Sequence, residues 1–291
     1  MSTIRPCLDA VCAQDAGDPF EVIVADSGTD GTAELVRREF PQVRVLKSDT
    51  RMEPARARNW GVSEACGTLL VFIDSDCVPE RDWLRRLRAT IEGGGYDAVG
   101  GAIRNSAGAN STSWAGYFCE FREFLPGGTA ADTINLTIGN AAYRRDMFQR
   151  AGGFPEGYFP QEDQVFHRRL LEAGARLRFD PSVVVTHTHR SELGAFLAHQ
   201  ANIGAANARV VRALGLQGAA IASHRWLAAA MLPALATYRF IRTVAACWRQ
   251  ERCLMLRRPA VAALCWLGML SWGVGFAGTG GDTPGHRRGD R

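Results

Sequence analysis

Five carboxylates in this sequence stand where backbone geometry can aim them at a single ligand. Asp74 and Asp76 end an apolar run in Val71-Phe72-Ile73-Asp74-Ser75-Asp76-Cys77-Val78. On a strand, an i, i+2 spacing turns both to the same side. Two hard oxygen ligands there suit a divalent cation that also holds phosphate oxygens. Glu162 and Asp163 open a later helical segment, Gln161-Glu162-Asp163, where the helix dipole favours negative charge. That position tends to keep a carboxylate ionised, the state a general base requires. Asp26 ends a further apolar run at Asp26-Ser27-Gly28-Thr29-Asp30-Gly31-Thr32, placed to accept a hydrogen bond from a ligand. Each pattern alone also has a plain structural explanation: a strand-end turn, a helix-end charge, a turn aspartate.

The elements that must position these groups alternate between strand and helix. Residues 69–73 are apolar throughout, which reads as a central parallel strand buried on both faces. Ligands of open α/β sheets bind at the C-terminal strand edge, where Asp74 and Asp76 would stand. In chain order we expect a short amphipathic helix at 4–14, a strand at 20–25, and a helix at 32–40 capped by Asp30. A strand at 43–46 precedes a helix at 55–65 opened by Pro54 and carrying Arg56 and Arg58. Pro79 is expected to start the next helix, with Trp83, Leu84, Leu87 and Ile91 on one face, and 97–101 to form a strand. Trp114, Tyr117, Phe118, Phe121 and Phe124 recur at helical spacing and read as core. Residues 134–138 look strand-like, 144–150 and 162–173 helical, and 177–179 and 183–186 strand, ending in His187-Thr188-His189.

Composition sets outer bounds. With 46% hydrophobic and 22% charged residues among 291, the chain is globular rather than disordered. A net charge of +4 gives no footing for nucleic acid. The C-terminal third is arginine-rich (Arg239, Arg242, Arg249, Arg252, Arg257, Arg258, Arg287, Arg288, Arg291), and arginines flanking apolar helices point to an anionic membrane surface. Eight cysteines without a C-x-x-C fit reduced thiols and argue against a zinc site.

Taken together, E-V-I-V-A-D-S-G-T-D-G-T, A-R-A-R-N-W-G, F-I-D-S-D, G-N-A-A-Y-R-R, G-G-F-P and Q-E-D-Q-V-F-H-R-R-L resemble, in order, the family 2 glycosyltransferases. The resemblance runs from about Pro19 to about His189. It implies an α/β fold of the GT-A type, a mostly parallel sheet with flanking helices, and inverting transfer of a hexosyl or related sugar from a nucleoside-diphosphate sugar. It further implies that Asp26 binds the base, that Arg58 contacts the nucleotide or its phosphates, and that Asp74 lies near ribose and metal. Asp76 would be the direct ligand of Mg²⁺ or Mn²⁺, with His187 a further ligand and His189 in reserve. Asp163 takes the family's catalytic-base position, with Glu162 beside it at the acceptor site.

Two departures from the family pattern set further expectations. An apolar strand before the first helix is not seen; its loss would leave backbone groups unpaired in the middle of the sheet. Either the start lies upstream or the chain is a truncated, non-catalytic paralogue that binds nucleotide or a partner. Ala222 stands where processive members have the glutamine of Q-x-x-R-W, before Arg225-Trp226, so one sugar per encounter is expected. A nucleotidyltransferase would need a glycine- and arginine-rich phosphate loop near the N-terminus, which is not seen.

The expected organisation is a catalytic domain at 1–190, an amphipathic helical segment at 191–224, apolar membrane-associated helices at 225–278 and a disordered basic tail at 279–291. Residues 260–277 carry no charge and would span roughly 27 Å as a helix, enough for a bilayer core. An interfacial first helix followed by one span, or a shallow hairpin, would hold the catalytic domain at the cytoplasmic face. There it would meet its nucleotide-sugar donor and a lipid-linked or glycan acceptor.

Overall fold

Alternation of strand and helix dominates the first two thirds of the chain, and helices alone form the last third. The structure, a computed structural model, describes residues 3–279; all of the expected tail but Thr279 lies outside the described residues. The elements are α1 (Ile4–Cys12), β1 (Ile23–Asp26), α2 (Thr32–Glu39), β2 (Arg44–Lys47), α3 (Pro54–Glu64), β3 (Leu69–Ile73), β4 (Cys77–Pro79), α4 (Trp83–Gly94), β5 (Ala98–Asn105) and α5 (Ser111–Phe121). They continue with β6 (Ala131–Thr133), β7 (Asn140–Arg144), α6 (Arg145–Arg150), α7 (Glu162–Glu172), β8 (Leu177–His187), α8 (Leu193–Ala213), α9 (Ala219–Ser223), α10 (Arg225–Gln250), α11 (Arg252–Arg257) and α12 (Ala260–Gly278).

The residues fall into two compact units. One holds the chain up to Ala107 together with Phe124–Thr188, and the other holds Gly108–Glu123 with the residues from His189 onward. The aromatic helix α5, expected in the catalytic domain, belongs to the second unit, and the segments expected at 191–224 and 225–278 fall together in it. The α5 stripe is core there, as Tyr117, Phe118 and Cys119 are buried.

In the first unit the sheet is divided. β1 and β2 pair in parallel as one small sheet, while β3-β7-β5-β8-β4 form a second, with β6 added on β8. Parallel pairing is confined to β1–β2 and β5–β8; the β3–β7, β5–β7, β4–β8 and β6–β8 pairs are antiparallel. β3 is therefore an edge strand rather than the central one its sequence suggests. Only Leu70 of its five apolar residues is fully buried, and all four residues of β1 are half-buried. An unbroken apolar run reports what a strand is able to bury, not how many neighbours it has.

Other departures are local. Residues 77–79 form a strand, so Pro79 ends β4 and α4 begins after Asp82. Residues 134–138 form no strand; β6 and β7 lie on either side of them. The two strands expected at 177–179 and 183–186 are one, β8, whose pairing with β5 shifts register at Gly101/Ala102. Gly31 in the left-handed region takes the N-cap of α2, with Asp30 Oδ1 accepting from Thr32 N at 3.2 Å. α3 opens as its proline predicts, with Pro54 just inside the first turn.

Two core clusters of the first unit support these elements. The smaller gathers Ile4, Leu8, Leu35, Val36, Phe40 and Val43 under β1–β2. The larger is aromatic: Phe72 of β3, Tyr143 of β7, Phe148 of α6, Phe154, and Phe166 of α7 meet with ring centroids 4.6–6.1 Å apart. A fully buried ring such as Phe166 contributes about 1.5–3 kcal/mol. The arrangement matters more than the sum, because this cluster ties the strand that carries Asp74 to the helix that carries Asp163.

Candidate active site

Arg58 is the centre of the polar arrangement. From α3 its Nη2 donates to Asp74 Oδ1 at 2.8 Å and its Nη1 to Glu162 Oε1 at 2.7 Å. One guanidinium thus joins the end of β3 to the first turn of α7, and both carboxylates hold it above its usual pKa despite burial. Burial raises the Glu162 carboxyl, with Arg58 opposing. Asp163, next in the chain, is pushed up to about 7, first by burial and then by the neighbouring charge of Glu162. Its Oδ1 accepts from Gln164 N at 2.8 Å, a hydrogen bond that favours the ionised form but does not offset desolvation.

The helix beneath is fixed by a buried chain that the sequence reading above did not include. His167, one turn after Asp163, meets Tyr143 Oη through Nε2 at 2.8 Å and Asn135 Oδ1 through Nδ1 at 2.7 Å. Burial drives this imidazole down to about 3, so it is neutral. The available signal was the i, i+4 spacing of Asp163 and His167 on one helix face.

Two asparagines explain motifs that carried the resemblance. Asn59 of A-R-N donates to Phe154 O at 2.8 Å and accepts from Phe154 N at 2.9 Å, pinning G-G-F-P to α3. Asn140 of G-N-A-A is fully buried; its Nδ2 donates to Ala102 O and Val183 O, and its Oδ1 accepts from Trp83 Nε1. Gly139 before it lies against Asp74: a Cβ there would sit 2.6 Å from Asp74 Oδ2.

Asp76 meets His187, whose Nε2 lies 3.4 Å from Asp76 Oδ2. The two are 111 positions apart in sequence, and the antiparallel β4–β8 pair brings them together, with Cys77 opposite His187 in register. Asp76, Cys77 and His187 each offer one ligand atom, all within 4.8 Å of one another. Carboxylate oxygen and imidazole nitrogen suit Mg²⁺, Mn²⁺ or Zn²⁺ to different degrees, so the set fits a divalent cation. The Cys77 thiol is an addition that spacing alone did not suggest. His189, the reserve ligand, falls in the second unit, packed edge-on against Tyr117 and Phe121.

Asp26 ends β1 as expected. Its Oδ1 accepts from Gly28 N at 2.8 Å, and its Oδ2 lies 3.1 Å from Lys47 Nζ, its register partner on β2. Lys47 was not anticipated; its position at the end of the neighbouring strand was the only cue. The structure thus assembles Arg58, Asp74, Glu162 and Asp163 as one group and Asp76 with His187 as another, joined by the two-residue turn from Asp74.

Comparison with known proteins puts this geometry in context. A family model described as "Glycosyl transferase family 2" matches residues 2–152. Glycosyltransferase AglE of Haloferax volcanii is 31% identical over 210 residues, covering 69% of this chain and 67% of that protein. The pre-mycofactocin glycosyltransferase of Mycobacterium tuberculosis is 29% identical over 206 residues, 64% of this chain but only 41% of that protein. Among solved structures, the mannosyltransferase PcManGT from Pyrobaculum calidifontis, in complex with GDP-Man and Mn²⁺, superposes with a TM-score of 0.61 at 20% identity, over 95% of this chain and 82% of that one. S. aureus TarS 1–349 in complex with UDP-GlcNAc gives 0.54 at 18% identity, over 94% and 86%.

Proposed function

The chain belongs to glycosyl transferase family 2 and has the GT-A fold, and from that premise we propose that it moves one sugar from a nucleoside-diphosphate sugar to a hydroxyl of a lipid-linked or glycan acceptor, with inversion. The observation that carries this reading is the joint held by Arg58, which sets a sheltered carboxylate, Asp163, beside the strand end that bears Asp74 and Asp76.

Each residue then has a physical task. Asp26 accepts from the nucleotide base, with Lys47 holding its second oxygen. Asp74 orients ribose and is itself fixed by Arg58 and backed by Gly139. Asp76 and His187 would hold a divalent cation, Mg²⁺ or Mn²⁺, which when bound would supply positive charge to neutralise the departing diphosphate. Donor complexes named for the structural neighbours, with GDP-Man and Mn²⁺ in one case, support that choice. Asp163 takes the proton of the attacking acceptor hydroxyl at its carboxylate oxygen, which its raised pKa suits near neutral pH. Glu162, held by Arg58, supplies the neighbouring charge that keeps Asp163 basic. A single displacement needs no covalent intermediate on the protein, so no carboxylate serves as nucleophile. The apolar helix Ala260–Gly278, long enough to cross a bilayer, supports a seat on a membrane, which we assign to its cytoplasmic face.

A second reading has one observation in its favour. The divided sheet leaves apolar residues of β1 and β3 half-buried, which suits a non-catalytic relative that binds nucleotide without turnover. Titration of the full chain with UDP and GDP, with and without Mn²⁺, tests the shared premise. Metal-enhanced binding lost in Asp26→Ala is expected; binding of neither nucleotide would overturn both readings.

A further inference from the structure

The second unit exposes a long apolar and aromatic face on α10, and a shorter one on the more apolar α12, where Leu267 and Val274 are exposed. Trp226, Tyr238, Ile241 and Trp248 are 77%, 60%, 60% and 49% exposed. With exposed Ala230, Ala234 and Ala245 between them, they follow spacings of three and four and make one helical stripe. From Trp226 to Trp248 that stripe runs roughly 33 Å at helical rise. Near its C-terminal end a shallow groove is lined by Phe240, Ile241, Val244, Ala245, Trp248 and Arg249.

Arginine dominates the charge around the stripe, although Arg242 is paired with Glu123 at 3.0 Å. Residues 225–278 contain seven arginines and a single carboxylate, Glu251. The guanidinium of Arg225 lies 5.0 Å from the Trp226 ring centroid and that of Arg242 5.9 Å from the Tyr238 ring. Arg249, Arg252 and Arg257 are exposed at the helix end, beside Leu256.

α12 is the helix among the described residues that is long and apolar enough to cross a bilayer, yet its small residues are spent on neighbours. Gly204 of α8 abuts the Trp272 backbone, and Gly275 abuts the Ala201 backbone, so closely that neither leaves room for a Cβ. Val261, Cys265, Met269, Trp272 and Phe276 are buried within the unit.

We propose that α10 lies in the plane of an anionic bilayer, its Trp226–Trp248 stripe at the boundary between headgroups and acyl chains, while α12 serves as the core helix of the unit. Tryptophan and tyrosine at the interface, and arginines reaching phosphate headgroups, are the chemistry such a surface takes. A water-facing role leaves three exposed aromatic rings without a counterpart. The proposal refines how the protein sits on a membrane and does not rest on the catalytic reading.

The test is flotation of the full chain with phosphatidylcholine vesicles and with vesicles of seven parts phosphatidylcholine to three of phosphatidylglycerol. Binding to the anionic vesicles that weakens with salt is expected. Trp226→Glu should cost about ten-fold in partitioning, and each of Arg249→Gln, Arg252→Gln and Arg257→Gln about five-fold. Thermal melts of these exposed-site variants should match the parent. Quenching of the parent's tryptophans should be stronger with bromines near the headgroup than deep in the acyl chain. Equal binding to neutral vesicles, undiminished flotation of Trp226→Glu, or preferential deep quenching would overturn the proposal, the last two in favour of an α12 span. A dimer by sedimentation that Trp226→Glu dissolves, with no flotation, would instead make the stripe a contact between copies. Loss of nucleotide binding with flotation intact would count against the catalytic reading alone.

Discussion

As the proposed general base, Asp163 bears opposite demands: it must be ionised, while burial favours the neutral acid. With the carboxyl near 7, kcat/KM should rise about ten-fold per pH unit below neutrality and level off above it. Asp163→Asn should lower kcat by about 10²–10⁴ while leaving donor binding unchanged. Stability should move the other way. The folded carboxyl is raised above its unfolded value of about 4, so stability is intact below pH 4 and declines as pH rises through about 7. Asp163→Asn should therefore raise Tm at pH 8 and leave it nearly unchanged at pH 4, as read by calorimetry at both. Arg58 makes the complementary case. Arg58→Ala leaves Glu162, 5% exposed, without its cation and should cost about 3–5 kcal/mol, measured by denaturant unfolding. Adding Glu162→Gln should recover part of that loss, since the two act as one pair.

At the level of elements, the β3 end, the α7 start and the β8 end must hold their mutual positions for those residues to act. Gly139→Ala should push Asp74 away from Arg58 and weaken nucleotide binding more than it lowers Tm, a split visible by titration beside calorimetry. The carboxylates were legible in sequence because each closes an apolar run or opens a helix, features set by local chemistry. Helices came through well for the same reason: Pro54, the apolar spacing of Trp83, Leu87 and Ile91, and the acidic start of α7 are local signals. Strand partners were not legible. Nothing near Leu69–Ile73 says that β7 will pair with it, and nothing near Asp76 says that His187 will arrive through the β4–β8 pair. Pro79 shows the limit of punctuation, since a proline that can open a helix served to end a strand. The structural roles of Asn59 and Asn140 were not legible either, since their partners, Phe154 for one and Ala102, Val183 and Trp83 for the other, lie far away in sequence.

On the scale of the whole molecule, the proposed chemistry lies in one unit and the proposed membrane contact of α10 in the other. The uncharged run at 260–277 is long enough for a span or for one arm of a shallow hairpin. Its glycines have a second use, since small residues that suit a membrane helix also let the α8 and α12 backbones meet. Gly275→Val should therefore lower Tm of the whole chain by several degrees, whereas a helix surrounded by lipid would tolerate it.

The most direct test of the central claim is release of nucleoside diphosphate from a panel of nucleotide sugars, with Mn²⁺ or with EDTA, by the parent chain and by Asp76→Ala and Asp163→Asn. The account predicts metal-dependent release from one donor, abolished by EDTA and by Asp76→Ala and reduced at least a hundred-fold by Asp163→Asn. Turnover that survives both substitutions, or nucleotide binding without turnover of any donor, would contradict it.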